Sequence, residues 1–509
     1  MKALLMHAEQ DFDPEQSPPA NEAELIQDLE LSTLLSAMAG EDPFLLNVSR
    51  KALVCSAQND IGTIIYRQEV LFDAARNPAL VRELYELAIE AIEGKRKSHF
   101  GVFSNYPSGI LSGAIDVMVM FMGVLTRLRV MSEAYSKRFR SRGFRKLFAM
   151  IEREFSDEYF VEVQRHLREL KFNSGVLISA RLGDGNQGVD HVLRHPRGRP
   201  PNWFERLLGK GGPAFSFQLA ERDEGGARIL SEIRDRGITL VANAMAQSMD
   251  HILSFFEMLR TEVGFYVCCL NLRDRMETMG AVTCLPEPHA AGSRELSFED
   301  LYDVCLALNM GKAIVGNTLD TDHKSLFVIT GANQGGKSSF LRSIGLAQVM
   351  MQSGMFVAGR AFAAELCSGV FTHYKREEDA TMNSGKLDEE LVRMSAIADA
   401  VHTGALVLFN ESFASTNERE GSEVARQIVN ALLDRYVKVF YVTHMFELAN
   451  GFFVQARSDA IFLRAERRDD GSRSFKLSEG EPLATSHGED LYEEIFERES
   501  SAEEPAAVP

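Results

Sequence analysis

The eight residues Gly331-Ala332-Asn333-Gln334-Gly335-Gly336-Lys337-Ser338 constrain this chain more than any other stretch. They fit G-x-x-x-x-G-K-[ST] and stand directly after an apolar run, Leu326–Thr330, and directly before a helical pattern. In that setting the glycines let backbone N–H groups approach phosphate oxygens. Lys337 is placed to bridge β- and γ-phosphates and Ser338 to ligate Mg²⁺. A helix starting near Lys337 turns its positive N-terminal end towards the anion.

Enzymes with such a loop also need a carboxylate at the end of a neighbouring strand. The run Ala405–Phe409 ends in Asn410-Glu411. Glu411 is placed to orient or deprotonate water, and Asn410 takes the position where an aspartate usually supports the metal. An amide oxygen can accept a hydrogen bond from metal-bound water but carries no charge, so weaker metal binding or slower turnover is expected. A third run, Val437–Val442, ends in Thr443-His444, and His444 can reach the γ-phosphate or its attacking water. Taken alone, a strand-end histidine more often serves structure.

These runs alternate with helical patterns such as Val424, Ile428, Ala431 and Leu432, which predicts a parallel sheet with crossover helices after about residue 301. Ala460–Arg464 and Phe475–Leu477 flank an Asp-Asp-Gly turn and predict a hairpin at the sheet's edge. From about 24 to 170 the pattern is helical, as in Leu80, Leu84, Leu87 and Ala91 or Phe148, Ile151 and Phe155. Between 176 and 235 lies a small β-containing insertion, with β-like runs at Val176–Ser179 and Phe215–Leu219 around HPRGRPPNW. A helix over Ala244–Glu277 follows, about 50 Å long. Its Met245, Met249, Ile252, Phe256, Leu259, Val263, Tyr266 and Leu270 keep a 4-3 spacing, either a coiled-coil-like lever or the core helix of a bundle. Residues 1–27, with Pro14, Pro18 and Pro19, and the acidic, Pro-containing 497–509 read as tails.

At 509 residues and 45% hydrophobic content the chain exceeds one compact domain. Cys55, Cys268, Cys269, Cys284, Cys305 and Cys367 form no C-x-x-C pair, so a reducing compartment is expected and structural zinc is not. The N-terminus does not read as a signal peptide. The most apolar window, Val117–Thr126, is bounded by Asp116 and Arg127 and is much shorter than the roughly 20 residues a bilayer requires. A cytoplasmic protein with no membrane partner is the expectation.

The segments TGANQGGKSSFLRS at 330–343, LVLFNESFASTNEREG at 406–421 and YVTHMFEL at 441–448 together resemble the ATPase domain of the MutS family of DNA mismatch-repair proteins. The spacing of Glu411, Thr416 and Gly421 and the Thr-His-x-Phe-Glu-Leu ending carry the specificity. DLELSTLLSAMAG at 28–40 and FEMLRTEVGFYVCCLNL at 256–272 look like the family's core and lever region. The resemblance implies a multidomain α and α/β protein. A helical core/lever region over 28–300, with the insertion as a reduced clamp, would precede an ABC-type P-loop ATPase domain with a mainly parallel sheet over 301–496. It implies ATP and Mg²⁺ as ligands, a homodimer that sandwiches ATP, and lever helices moving around DNA. The phosphate loop carries over onto Gly331, Asn333, Gly335, Gly336, Lys337, Ser338 and Ser339, the catalytic acid onto Glu411 and the switch histidine onto His444.

Departures sharpen the expectation. The family's Asp-Glu pair is Asn410-Glu411 here. The Ser-Thr-Phe-Met stretch that reaches the partner's nucleotide is replaced after Ser384-Gly385-Lys386 by Leu-Asp-Glu-Glu-Leu, so Ser384 and Gly385 become candidate trans contacts. The family's mismatch-reading domain has no room ahead of residue 28. Phe160-x-Glu162 and Phe255-x-Glu257 match its wedge by spelling but fall in helical patterns, so the expected DNA target is a shape or branch. Candidate DNA contacts are Lys137, Arg138, Arg140 and Arg142, continuing through Arg145-Lys146, and, in the insertion, Arg194, Arg197, Arg199 and Arg206 around Trp203. A solvated or acid-paired face explains such runs equally well in a chain of net charge −18. The alternative is a nucleotide-gated protein scaffold that does not touch DNA.

Overall fold

The computed structural model describes residues 1–55, 59–99, 106–173, 175–194, 218–220, 222–321, 323–332, 334–376, 385–468 and 472–483. The described elements are, in order, α1 (Glu22–Asp28), α2 (Leu31–Ala39), α3 (Pro43–Arg50), α4 (Ile61–Arg76), α5 (Pro78–His99), α6 (Pro107–Tyr135), α7 (Arg142–Glu154) and α8 (Asp157–Leu170). Then come β1 (Ile178–Leu182), β2 (Gly188–Leu193), α9 (Glu224–Thr278), β3 (Glu287–His289), β4 (Leu296–Leu301), α10 (Val304–Met310), β5 (Asn317–Asp320) and β6 (Leu326–Gly331). The remainder are α11 (Lys337–Gln352), β7 (Ala361–Glu365), β8 (Val370–Tyr374), α12 (Lys386–Ala400), β9 (Leu406–Asn410), α13 (Glu418–Asp434), β10 (Lys438–Val442), α14 (Phe446–Val454), β11 (Ala460–Arg467) and β12 (Arg473–Glu479). The chain divides into two compact units: Met1–Ala3, Arg82–Phe139 and Phe144–Arg260 in one, Leu4–Val81, Arg140–Gly143 and Thr261–Pro509 in the other.

The first unit is helical. α7 buries Phe144, Leu147, Phe148 and Ile151 at the spacing of one helix face, and Phe139, Phe144 and Phe148 cluster with ring centroids 4.4 and 5.2 Å from Phe139. α6 buries Leu111, Ile115, Met118, Phe121, Met122 and Leu125, and Phe121 meets Phe256 of α9 at 5.9 Å. Extended to Arg138, this segment is long and apolar enough by length and composition to cross a membrane, which the window Val117–Thr126 understates because Pro107–Ile115 adds mostly small and apolar residues. Half of its most apolar 18-residue stretch is buried inside the protein.

The insertion differs from expectation. Among its described residues the β structure is one antiparallel hairpin, β1 with β2, pairing Ile178 with Leu193. Most of the second anticipated run, Phe215–Leu219, lies outside the described residues. α9 begins at Glu224, twenty residues before the anticipated Ala244, so 224–235 are helix and not insertion. Glycines at 225, 226 and 237 hide this from a pattern reading, since glycine weakens helices. Gly237 is required by close approach: a Cβ there would meet Ile178 Cδ1 at 2.6 Å.

Among the described residues the second unit carries two sheets. The six-stranded one has the order β12-β11-β6-β10-β9-β8. Pairs β11–β6, β6–β10, β10–β9 and β9–β8 are parallel, and β12 runs antiparallel at the edge. Its central strands are apolar on both faces because helices cover both; Phe327 and Phe440 stack at 3.9 Å. A four-stranded mixed sheet, β3-β7-β4-β5, went unread in the sequence. The stretch Thr261–Leu270 of α9 is buried at all ten positions, so Phe265, Val267, Cys268 and Cys269 are core as fully as the 4-3 positions. This end of α9 is a central core helix and not a two-stranded seam.

The reading of residues 1–27 as a mobile tail is overturned. Leu5, Met6 and Phe12 are buried, and α1 starts at Glu22. Leu5 and Phe12 donate their N–H groups to the buried Glu262 carboxylate at 2.6 and 2.7 Å, while the Tyr66 and Tyr266 hydroxyls donate to the Leu4 and Leu5 carbonyls at 2.6 and 2.7 Å. These partners are 62 to 261 residues away in sequence, beyond the reach of local composition. The anticipated boundary at 300/301 also moves, since Leu4–Val81 and everything from Thr261 belong to the α/β unit.

Candidate phosphate-binding site

The site forms where β6, β10 and β9 end side by side. β6 leaves the sheet through Gly331 at φ +108°, and Gly336 at φ +87° caps α11, whose first residue is Lys337. A Cβ on Gly331 would stand 2.8 Å from the Ala465 nitrogen, and one on Gly335 would stand 2.7 Å from Ala465 Cβ and 2.9 Å from the Ala332 oxygen. The loop therefore has no room for side chains where β11 presses against it, and its backbone turns tightly, the Gly335 N–H donating to the Ala332 carbonyl at 3.2 Å. Asn333 lies outside the described residues; Ser339 follows Ser338 on the first turn of α11.

Lys337 is buried and folds back, donating from Nζ to the Gly331 and Ala332 carbonyls at 3.0 and 2.9 Å. Burial pulls its pKa down to about 8, against the pull of the Glu411 carboxylate. The Ser338 hydroxyl donates to Asn410 Oδ1 at 3.1 Å, so two neutral oxygens suited to a hard cation sit together. Glu411 holds a left-handed backbone at φ +55°, and its N–H donates to the Val442 carbonyl at 2.9 Å. Its carboxylate lies 2.8 Å from His444 Nε2, and that hydrogen bond holds its pKa below the usual carboxylate range. Lys337, Ser338, Asn410, Glu411 and His444 thus converge from three neighbouring strand ends.

Beside the loop opens a cleft of about 580 Å³. Leu306, Met310, Ile314, Val315 and Phe475 make its apolar wall, and Lys337, Ser338 and Ser339 its polar end. The sequence places Phe475 only in the edge hairpin. Here it stands at φ +59°, strained for an aromatic residue, with its backbone tied to the Asn317 side chain, which donates to the Phe475 carbonyl at 3.3 Å and accepts from the Leu477 N–H at 2.8 Å. The only sequence signal was an aromatic shortly after the hairpin's turn.

The remaining candidates do not join this site as a group. Gly385 is the N-cap of α12, while Ser384 lies outside the described residues. Lys137, Arg138, Arg140 and Arg142 are exposed. The Arg138 guanidinium lies over the Tyr135 ring at 4.9 Å. Arg142 pairs with Glu69 at 2.9 Å, so the acid-paired explanation holds for it. Lys137 and Arg138 belong to the first unit and Arg140 and Arg142 to the second. Arg197, Arg199, Arg206 and Trp203 lie outside the described residues; Arg194 donates to the Ser179 hydroxyl at 2.8 Å. Phe160–Glu162 and Phe255–Glu257 are helical, in α8 and α9.

Two segments match known families: residues 59–279 the MutS2 N-terminal domain, and residues 327–488 the MutS domain V. Among similar proteins, the DNA mismatch repair protein MutS of Leptospira interrogans is 25% identical over 299 residues, 55% of this chain and 34% of the relative. The endonuclease MutS2 of Thermus thermophilus is 29% identical over 177 residues, 33% of this chain and 24% of the relative. The human MutS protein homolog 4 is 29% identical over 176 residues, 33% and 19% respectively. The matched stretches thus span about a third or less of these relatives' length.

Proposed function

Because this chain belongs to the MutS family, we propose that it is an ATP-binding and ATP-hydrolysing conformational switch that acts on DNA. The observation that carries the proposal is the convergence of Lys337, Ser338, Asn410, Glu411 and His444 at the ends of adjacent parallel strands. ATP is the substrate in this reading. Lys337 exchanges the Gly331 and Ala332 carbonyls for phosphate oxygens, which restores the full charge that burial opposes. The apolar wall of the cleft and the Phe475 ring take the base. Glu411, ionised and aimed by His444, receives the proton of the attacking water. Ser338 and Asn410 would hold Mg²⁺, which when bound neutralises charge on the phosphates. With no carboxylate in the Ser338–Asn410 pair, slow turnover is expected.

The homodimer belongs to the same proposal, with Gly385 and Ser384 as candidates for contacts across it. Its DNA target would be a structure and not a mispair, in mismatch-repair or recombination-type work. The net charge of −18 and the pairing of Arg142 with Glu69 favour the second reading, a nucleotide-gated protein scaffold. Nucleotide binding and phosphate release by the wild type, Lys337→Ala and Glu411→Ala test the ATPase reading. Loss of binding in the first variant and of hydrolysis alone in the second is the expected result. Undiminished hydrolysis in Glu411→Ala would overturn it.

A further inference from the structure

Directly after Glu411 in the chain, around Ser412 and Phe413, the protein buries a polar cluster that the chemistry above does not use. His373, on β8 and in register with Phe409 of β9, is fully buried, as is Ser412. The His373 ring stacks on Phe413 at 5.1 Å with an interplanar angle of 19°. Its Nδ1 lies 2.7 Å from Ser412 Oγ and its Nε2 lies 2.9 Å from the Glu390 carbonyl on α12. The Ser412 hydroxyl also reaches the His373 carbonyl at 2.5 Å, and the Tyr441 hydroxyl donates to the Ser412 carbonyl at 2.8 Å.

The protons in this cluster can be assigned. A carbonyl only accepts, so Nε2 carries the hydrogen that goes to Glu390. Burial, aided by Arg393, pulls the His373 pKa down to about 4, which keeps the ring neutral and makes Nδ1 an acceptor. The single Ser412 proton is then shared between Nδ1 and the His373 carbonyl. No hydrogen-bonding atom of the ring is left over.

The cluster sits at a backbone that needs bracing. Glu411 and Phe413 both hold left-handed conformations, at φ +55° and +62°, which cost side-chain-bearing residues strain. Phe413 cannot relax outwards, because its carbonyl already packs against Gly421 of α13, where a Cβ would meet it at 2.3 Å. Released from His373, the turn would move Glu411 with it.

We propose that His373 is a positioning residue for Glu411: it clamps the turn 411–413 through Ser412 and Phe413, and ties that turn to helix α12 through Glu390. The proposal rests on the reading of Glu411 as the acid of ATP hydrolysis. It makes the start of α12, which follows Gly385, mechanically continuous with the catalytic carboxylate.

The test compares His373→Phe, which keeps a ring on Phe413 but removes both hydrogen bonds, with His373→Asn, whose amide can restore the one to Ser412. His373→Phe is expected to lower kcat about tenfold to a hundredfold with KM for ATP within about twofold of the wild type. His373→Asn should recover part of the loss, and Ser412→Ala should not add to it. Should His373→Phe fail to fold, Ser412→Ala carries the same expectation of a selective kcat loss. A kcat unchanged in both variants, or losses that multiply in the double variant, would overturn the proposal. Amide hydrogen exchange without nucleotide separates this failure from that of the ATPase reading. If the wild type does not hydrolyse ATP, the ATPase reading falls, while faster exchange at both 411–413 and 386–400 in His373→Phe still supports the clamp. Unchanged exchange there overturns the clamp.

Discussion

Helix α9 has two characters along its length. Over Glu224–Leu240 in the first unit most positions face solvent, and Ile229, Leu230, Ile233 and Leu240 expose apolar side chains, Leu240 by 78%. Over Thr261–Leu270 in the second unit no position is exposed. The helical pattern is continuous, so surroundings and not propensity set the difference. The second unit buries that stretch of the helix at every position and holds Lys337, Ser338, Asn410, Glu411 and His444 together. The first leaves a helix face available for contact.

If that contrast is right, substitutions in the second unit should act on catalysis and folding, and comparable ones on the exposed half of α9 should do neither. The largest effect belongs to Glu411→Ala, which should cut kcat about 10²- to 10⁴-fold with nucleotide binding kept, measured by phosphate release beside equilibrium binding. Leu240→Ala should leave that rate at the wild-type value. Next comes Phe265→Ala on the buried length, which should cost about 3 to 5 kcal/mol in denaturant unfolding. Leu240→Ala should stay within about 0.5 kcal/mol. Equal costs for the two would break the comparison.

The buried length also carries a pH signature. Burial pushes the Glu262 pKa up to about 7, above its ordinary 4.5, despite the N–H donors from Leu5 and Phe12. A raised pKa in the folded state means the fold binds the proton more tightly than the unfolded chain does. Stability from this group is therefore full below about pH 4.5 and is lost as pH rises through about 7, by on the order of 3 kcal/mol. Unfolding midpoints between pH 4.5 and 7.5 check this, and Glu262→Gln should flatten the slope. The smallest effect is expected from Asn410→Asp. If the missing charge limits the cycle, Mg²⁺-dependent turnover should rise about three- to tenfold. Unchanged turnover would mean that Ser338 and Glu411 compensate.

What could be read in the sequence was whatever one short stretch specifies. The loop 331–338 names its own strand, turn and helix, and apolar runs ending in Asn410-Glu411 and Thr443-His444 mark strand ends. Their meeting follows from parallel strands lying side by side. Long-range contacts were not legible. The N-terminal residues are held by a carboxylate about 250 residues away, and His373 meets Ser412 across 39. β3 has three residues and β5 is Asn-Thr-Leu-Asp, too short and too polar to announce a sheet. Phe475 acquires its place only once the edge hairpin folds over Gly336. Nor does a charge seen in sequence show the acid beside it, as with Arg142 and Glu69.

The central claim is a switch driven by ATP and directed to DNA. Its most direct test is the ATPase rate of the wild type and Glu411→Ala, without DNA and with duplex, single-stranded or branched DNA, at two salt concentrations. Stimulation by one DNA form, absent in Glu411→Ala and weakened at the higher salt, is the predicted result. Turnover indifferent to every DNA at both salt concentrations would contradict it and leave the nucleotide-gated scaffold.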